Sequence, residues 1–67
     1  MRSDFERHRT AIVSVLADYG SLSIKDLMKH TGISESTLRR HLADLEKAGF
    51  IVKSWSKLRR CLIYSIN

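Results

Sequence analysis

Residues 31–42 read Thr31-Gly32-Ile33-Ser34-Glu35-Ser36-Thr37-Leu38-Arg39-Arg40-His41-Leu42. A glycine, one apolar residue, and a hydroxyl followed by an acid predict the end of one helix and the start of another. Gly32 supplies the left-handed backbone that ends a helix, and Ser34 is the expected N-cap of the next. Glu35 then lies in the first turn, where the helix dipole favours negative charge. Leu38, Leu42 and Leu45 fall within about 60° of one another at ~100° per residue, so they form a buried stripe on a helix over about 35–48 that stops at Gly49. Ser36, Arg40, Ala43, Asp44 and Lys47 occupy the opposite face, with Thr37 and Arg39 on its flanks.

Upstream of this stretch, Ser23 can cap a short helix running from about Ile24 to Thr31, and Asp26 three residues later completes a capping-box pair. Ile24, Leu27 and Met28 are its inward residues. Earlier still, Ser3 is the expected N-cap of a first helix that carries Asp4 and Glu6 in its first turn and stops at Gly20. Phe5, Ile12, Leu16 and Tyr19, with Val15 at the margin, repeat at helical spacing and define its apolar face. Ser21-Leu22-Ser23 is a short extended piece between the two helices. Beyond Gly49 the pattern changes to two β-rich runs, Phe50–Trp55 and Cys61–Ile66, separated by a polar, basic stretch from Ser56 to Arg60. They predict an antiparallel hairpin.

With 67 residues the chain is expected to be one domain, 1–67, and a domain of this size buries only about 60% of the surface its unfolded chain exposes. A deep enzyme pocket is not expected. There is no proline and there are only three glycines, which argues against linkers and low-complexity disorder. The single cysteine, Cys61, permits neither an intramolecular disulfide nor a thiolate cluster for structural zinc, and fits a reducing compartment. No apolar run is long enough to span a membrane, and the N-terminus is charged where a signal peptide is apolar, so a cytoplasmic location is expected, nucleoid-associated if the source is prokaryotic. The net charge of +5 points to an anionic partner. Its distribution is more informative, because residues 50–67 hold Lys53, Lys57, Arg59 and Arg60 and no acid.

Two short helices joined by a glycine-containing turn, preceded by a helix and followed by a hairpin, give the order helix, short strand, helix, helix, strand, basic loop, strand. That order resembles the winged helix-turn-helix DNA-binding superfamily, a mainly α fold with a β-hairpin. The residues that carry the resemblance are Leu22–Leu27, Thr31–Leu42 and Leu45–Ile51, which extends it over nearly the whole chain. It implies a sequence-specific regulator of transcription that binds double-stranded DNA, with the third helix in the major groove and the basic wing, 56–60, on flanking backbone or minor groove. Carried onto this sequence, the DNA-contacting residues are Ser34, Ser36, Thr37, Arg39 and Arg40 on the helix and Lys57, Arg59 and Arg60 on the wing. The physical basis stands apart from the family. The major groove admits one helix, and arginine can make bidentate contact with guanine or phosphate. The chain resembles small stand-alone regulators, and departs from the metal-sensing and multidrug-responsive families in lacking a cysteine metal motif and the extra helices that dimerise and bind ligand. No cofactor, metal or small-molecule effector is therefore expected.

Plainer readings compete at several positions. Arg39 and Arg40 also fit solvated helix charges paired with Glu35 or Asp44, and the wing cations also fit protection of a sheet edge. Lys47 reads as a solvated charge. His8, His30 and His41 show no metal-binding spacing and read as surface or satisfied histidines. Cys61 is expected to be a buried small residue, and Trp55 to pack across the hairpin rather than lie on DNA. No nucleophile with a partner, phosphate loop or carboxylate pair suggests an enzyme. A protein-interaction module and an accessory regulator that binds DNA only with a partner are the alternative functions. The partners expected besides DNA are a second copy of the chain or a partner regulator, and self-association has one candidate surface, the face of the first helix around Val13.

Overall fold

The first helix, α1, spans Arg2–Tyr19 and packs Ile12 and Leu16, both fully buried, against the rest of the core. The structure is a computed structural model that describes residues 2–67, with side chains from Glu6 onward. The helix begins ahead of Ser3, so that residue lies in the first turn and is not its cap; the side chain of Phe5 falls outside the described residues. Tyr19 also departs from expectation, being 58% exposed. It has the right spacing for the core face but is the last helical residue, and the chain turns away at Gly20 before any core reaches it. Its ring stacks instead on His30, with centroids 4.3 Å apart.

The short extended piece becomes β1, Ser21–Leu22, and α2 follows over Ile24–Thr31. Ser23 Oγ accepts the Asp26 N–H at 3.2 Å and the Asp26 carboxylate accepts the Ser23 N–H at 3.4 Å, so the expected capping box is present. At the other end Gly32 takes φ 74° and its N–H donates to the Met28 carbonyl at 2.9 Å. Thr31 fixes the turn further. Its hydroxyl donates to the Leu27 carbonyl at 2.6 Å and accepts the Ile33 N–H at 3.2 Å. Ile33 is thereby held in the core at 7% exposure, which sets the angle at which α3, Glu35–Lys47, leaves the turn.

Leu38, Leu42 and Leu45 are buried along α3, as the stripe predicts. The helix closes with Ala48 as C-cap and Gly49 at φ 87°. The Phe50 N–H donates to the Leu45 carbonyl and the Gly49 N–H to that of Glu46, both at 3.0 Å, the Schellman pattern. Because the Phe50 N–H is spent on this cap, the next strand starts one residue later than its composition suggests. β2 spans Ile51–Ser56 and β3 spans Cys61–Ile66. The antiparallel sheet has the order β1-β3-β2, with Leu22 opposite Tyr64, Ile51 opposite Ile66 and Ser56 opposite Cys61. The core of Ile12, Leu16, Leu22, Leu27, Ile33, Leu38, Leu42, Leu45 and Ile51 lies where the three helices meet one face of this sheet. Beyond Ile51 most of β2 is exposed, so the hairpin projects past the core as a wing. Among the described residues no helix is long and apolar enough to cross a membrane.

Candidate nucleic-acid interface

Burying the leucine stripe of α3 forces the other side of that helix outward, and with it most of the side chains expected to read DNA. Ser36, Arg39 and Arg40 are exposed in its first two turns, and Thr37 is half-buried. Ser34 has the extended backbone of an N-cap, φ −66° and ψ 157°, but its hydroxyl donates to Thr37 Oγ1 at 3.0 Å instead of accepting a backbone N–H. The two hydroxyls thus form one polar pair at the mouth of the helix. Arg39 directs Nε and Nη2 onto Glu35 Oε2 at 3.0 and 2.8 Å, one turn back along the helix. Both side chains are at least half exposed, so this pair contributes only a few tenths of a kcal/mol, about 0.3–0.5, and can yield to a phosphate. Arg40 has no ion-pair partner among the described residues.

The second group sits on the four-residue turn of the wing. Lys57, Arg59 and Arg60 are all exposed there, but they do not point alike. Arg59 reaches back to α2 and places Nη2 2.6 Å from Asp26 Oδ2. The guanidinium beside it, helped by the Ser23 hydroxyl and N–H, holds the Asp26 carboxyl below its ordinary range against the opposing effect of desolvation. The same contact raises the Arg59 guanidinium further above its already high value. Asp26 therefore serves twice, as the N3 residue of the α2 capping box and as the anchor of the wing. Lys53, lower on β2, is 3.9 Å from Glu46 of α3. The basic excess is thus partly compensated across elements, although the wing segment itself carries no acid.

Trp55 stands opposite Leu62 in the register of the hairpin and is 59% exposed, so its ring is not enclosed by the packing expected of it. Its ring opens onto a groove of about 600 Å³ between the wing and the start of α2, where Ile24, Lys25 and Lys29 form the other wall. Cys61 is half-buried, more open than expected, because it begins the strand at the wing end, beyond the core. Lys47 is exposed at the far end of α3, as a solvated charge should be.

Among the tertiary pairs that sequence reasoning missed, two bear on the interface. One is Asp26–Arg59, separated by 33 positions, for which a local capping pattern gives no signal. The other is His8 and His41, whose rings meet edge-on with centroids 5.4 Å apart where α1 packs on α3. His41 is 3% exposed, and burial, reinforced by His8, Arg9 and Arg40, pushes its imidazole below the ordinary value while Asp44 opposes. Among the described residues no group of three or more His, Cys, Asp or Glu side chains is gathered as a metal site.

Comparison with solved structures returns the same architecture. The Zalpha domain of Carassius auratus PKZ, solved in complex with Z-DNA, superposes with a TM-score of 0.83 at 20% identity, over 96% of this chain and 98% of that one. Bordetella bronchiseptica BpsR, whose DNA binding is regulated by 6-hydroxynicotinic acid, gives 0.85 at 23% identity, and a MarR family transcriptional regulator from Silicibacter pomeroyi gives 0.87 at 19%. The chain covers nearly all of the Zalpha domain but only 44% and 45% of the two longer proteins, against 90% and 98% of its own length. These likenesses establish the winged-helix fold. No curated protein sequence matches the chain. A family match does: residues 7–53 fit the bacterial regulatory proteins of the arsR family. That span is more than two thirds of the chain and contains both helices of the helix-turn-helix. The chain belongs to the bacterial regulatory protein arsR family, as a sequence-specific DNA-binding regulator of transcription.

Proposed function

We propose that residues 1–67 act as one reading unit, in which the N-terminal half of α3 enters the major groove of duplex DNA and the wing turn rests on flanking backbone or minor groove. The observation that carries this reading is the outward face of α3. Ser36, Arg39 and Arg40 stand exposed in its first two turns, directly above a leucine stripe that fixes the helix rigidly to the core. Arg40, which has no carboxylate partner among the described residues, is the base-reading side chain, and Ser34, Thr37 and Arg39 line the groove edges, where phosphates lie. Lys57 and Arg60 supply the wing's backbone contacts, with Arg59 setting the direction of the turn from its bond to Asp26. The role is binding, without catalysis and without a small-molecule effector. Two copies on a palindromic site would meet through α1, where Val13 and Thr10 border a groove closed by Leu45 and the exposed Phe50.

The test is retention of a random duplex pool at two salt concentrations, followed by sequencing. Wild-type protein should enrich one motif, with affinity falling steeply as salt rises. Arg40→Ala should weaken the enriched site by about 1–3 kcal/mol and relax one position of it, whereas Lys57→Ala should weaken all sequences alike. Unchanged selection by Arg40→Ala and Lys57→Ala together overturns the docking geometry. Retention only in the presence of a second protein would favour an accessory regulator.

A further inference from the structure

The tip of the wing carries a residue that neither charge nor packing explains. Leu58 is 95% exposed, more than any other large apolar side chain described. Single exposed leucines are common on protein surfaces, but this one is held out by a pinned backbone. The Arg60 N–H donates to the Ser56 carbonyl at 2.7 Å, and the Arg59 N–H donates to the Ser56 hydroxyl at 3.1 Å. The Arg59 side chain is drawn back to Asp26 at 2.6 Å, and Arg60 adopts φ 56°, a left-handed conformation that usually falls to glycine or asparagine. Three hydrogen bonds and one uncommon backbone angle therefore fix the turn. With Arg59 turned inward, the apex presents Lys57, Leu58 and Arg60, an apolar knob framed by two cations.

We propose that Leu58 is a minor-groove wedge: it enters the groove beside the site read by α3 and partly unstacks one base step, while Lys57 and Arg60 hold the phosphates on either side. The inference rests on the DNA-reading geometry above and adds to it a residue that distorts the duplex. The chemistry favours this occupant. Apolar side chains of leucine size insert between base steps from the minor groove, and the negative potential there attracts flanking cations. A protein partner or a lipid surface would call for a broader apolar patch, and the nearest neighbours of Leu58 in the turn are both charged. Specificity follows as well, since pyrimidine–purine steps unstack most easily and would be preferred at the wedge position without any hydrogen bond to a base.

The experiment uses the 67-residue chain and duplexes built from its own selected site, with 2-aminopurine placed at successive steps on the wing side. Wild-type protein should raise 2-aminopurine fluorescence at one flanking step. Leu58→Ala, which removes no internal contact, should abolish that rise and weaken binding about tenfold. The dependence of affinity on salt should stay unchanged, because no charge is removed. Leu58→Lys should regain affinity through its added charge, with a steeper salt dependence, yet leave the fluorescence low. Equal binding and equal fluorescence for wild type and Leu58→Ala overturns the wedge while leaving the α3 reading intact. A loss of affinity with no fluorescence change at any step in the wild-type complex also overturns it. A wild-type protein that retains no duplex at all overturns both the wedge and the reading on which it rests.

Discussion

Neutralising one carboxylate on α3 should make DNA binding more sensitive to salt. Five cations stand on the proposed DNA face, namely Arg39, Arg40, Lys57, Arg59 and Arg60, but Arg39 is bonded to Glu35 and Arg59 to Asp26. If both pairs persist in the complex, three cations displace counterions and the slope of log K against log salt is about −2.7; if both open, it approaches −4.5. Between 50 and 200 mM salt those slopes correspond to losses of about 40-fold and about 500-fold. Glu35→Gln removes the competitor of Arg39 without shortening the side chain. Its pair is an exposed i,i+4 contact, so releasing it should raise affinity at moderate salt only about twofold. The slope is the sharper readout and should steepen by about 0.9. Fluorescence anisotropy on the selected site across that salt range measures both quantities. A slope identical to wild type, with unchanged affinity, would refute the idea that Glu35 withholds Arg39 from the phosphates.

Two further outcomes concern the scaffold. Leu38→Ala, at a position with no solvent exposure under the reading face, should destabilise the fold by about 2–5 kcal/mol, and in so small a domain a urea titration should find it partly unfolded in buffer. Stability should also fall in mild acid. The depressed folded-state value of His41 means that the unfolded chain binds the proton more readily, so stability is full above the ordinary histidine range, near pH 6.5, and declines as pH drops through it. His41→Phe should flatten that part of a melting-temperature profile, while the separate loss from Asp26 protonation, below about pH 4, remains.

The parts of this fold legible in the sequence are those governed by neighbours along the chain. The Ser23–Asp26 box, the left-handed Gly32, the α3 stripe and the boundaries of α2 and β3 all follow from residues within a few positions of one another, and all are present. Tyr19 shows where that reasoning stops. Its periodicity is correct, but burial depends on what lies opposite, and at the end of α1 that is the exposed His30 ring of α2 and not the core. The outward polar face of α3 was equally legible, because it is the complement of an inward apolar one. The state of its arginines was half legible: Glu35 lies one helical turn from Arg39, and the pairing weighed from the sequence is formed. On the wing, the basic run suggested three equivalent cations. Only the tertiary bond to Asp26 distinguishes Arg59 from Lys57 and Arg60, and the same bond leaves Leu58 at the apex.

That bond separates two properties of the hairpin that are easily conflated, its shape and its aim. The shape is local: six paired positions and a four-residue turn can form within microseconds without reference to the helices. The aim of its tip is trimmed by a contact spanning 33 positions, Arg59–Asp26, added to the β1–β3 pairing that fixes the base of the sheet. Acid, or a phosphate competing for the guanidinium, can undo the aim and leave the shape untouched. In hydrogen exchange the strand amides of β2 and β3 would then stay protected while the amides of the wing turn and the first turn of α2 lose protection together. In the proposed complex, a tip freed in this way would adjust to the flanking duplex without any refolding of the strands.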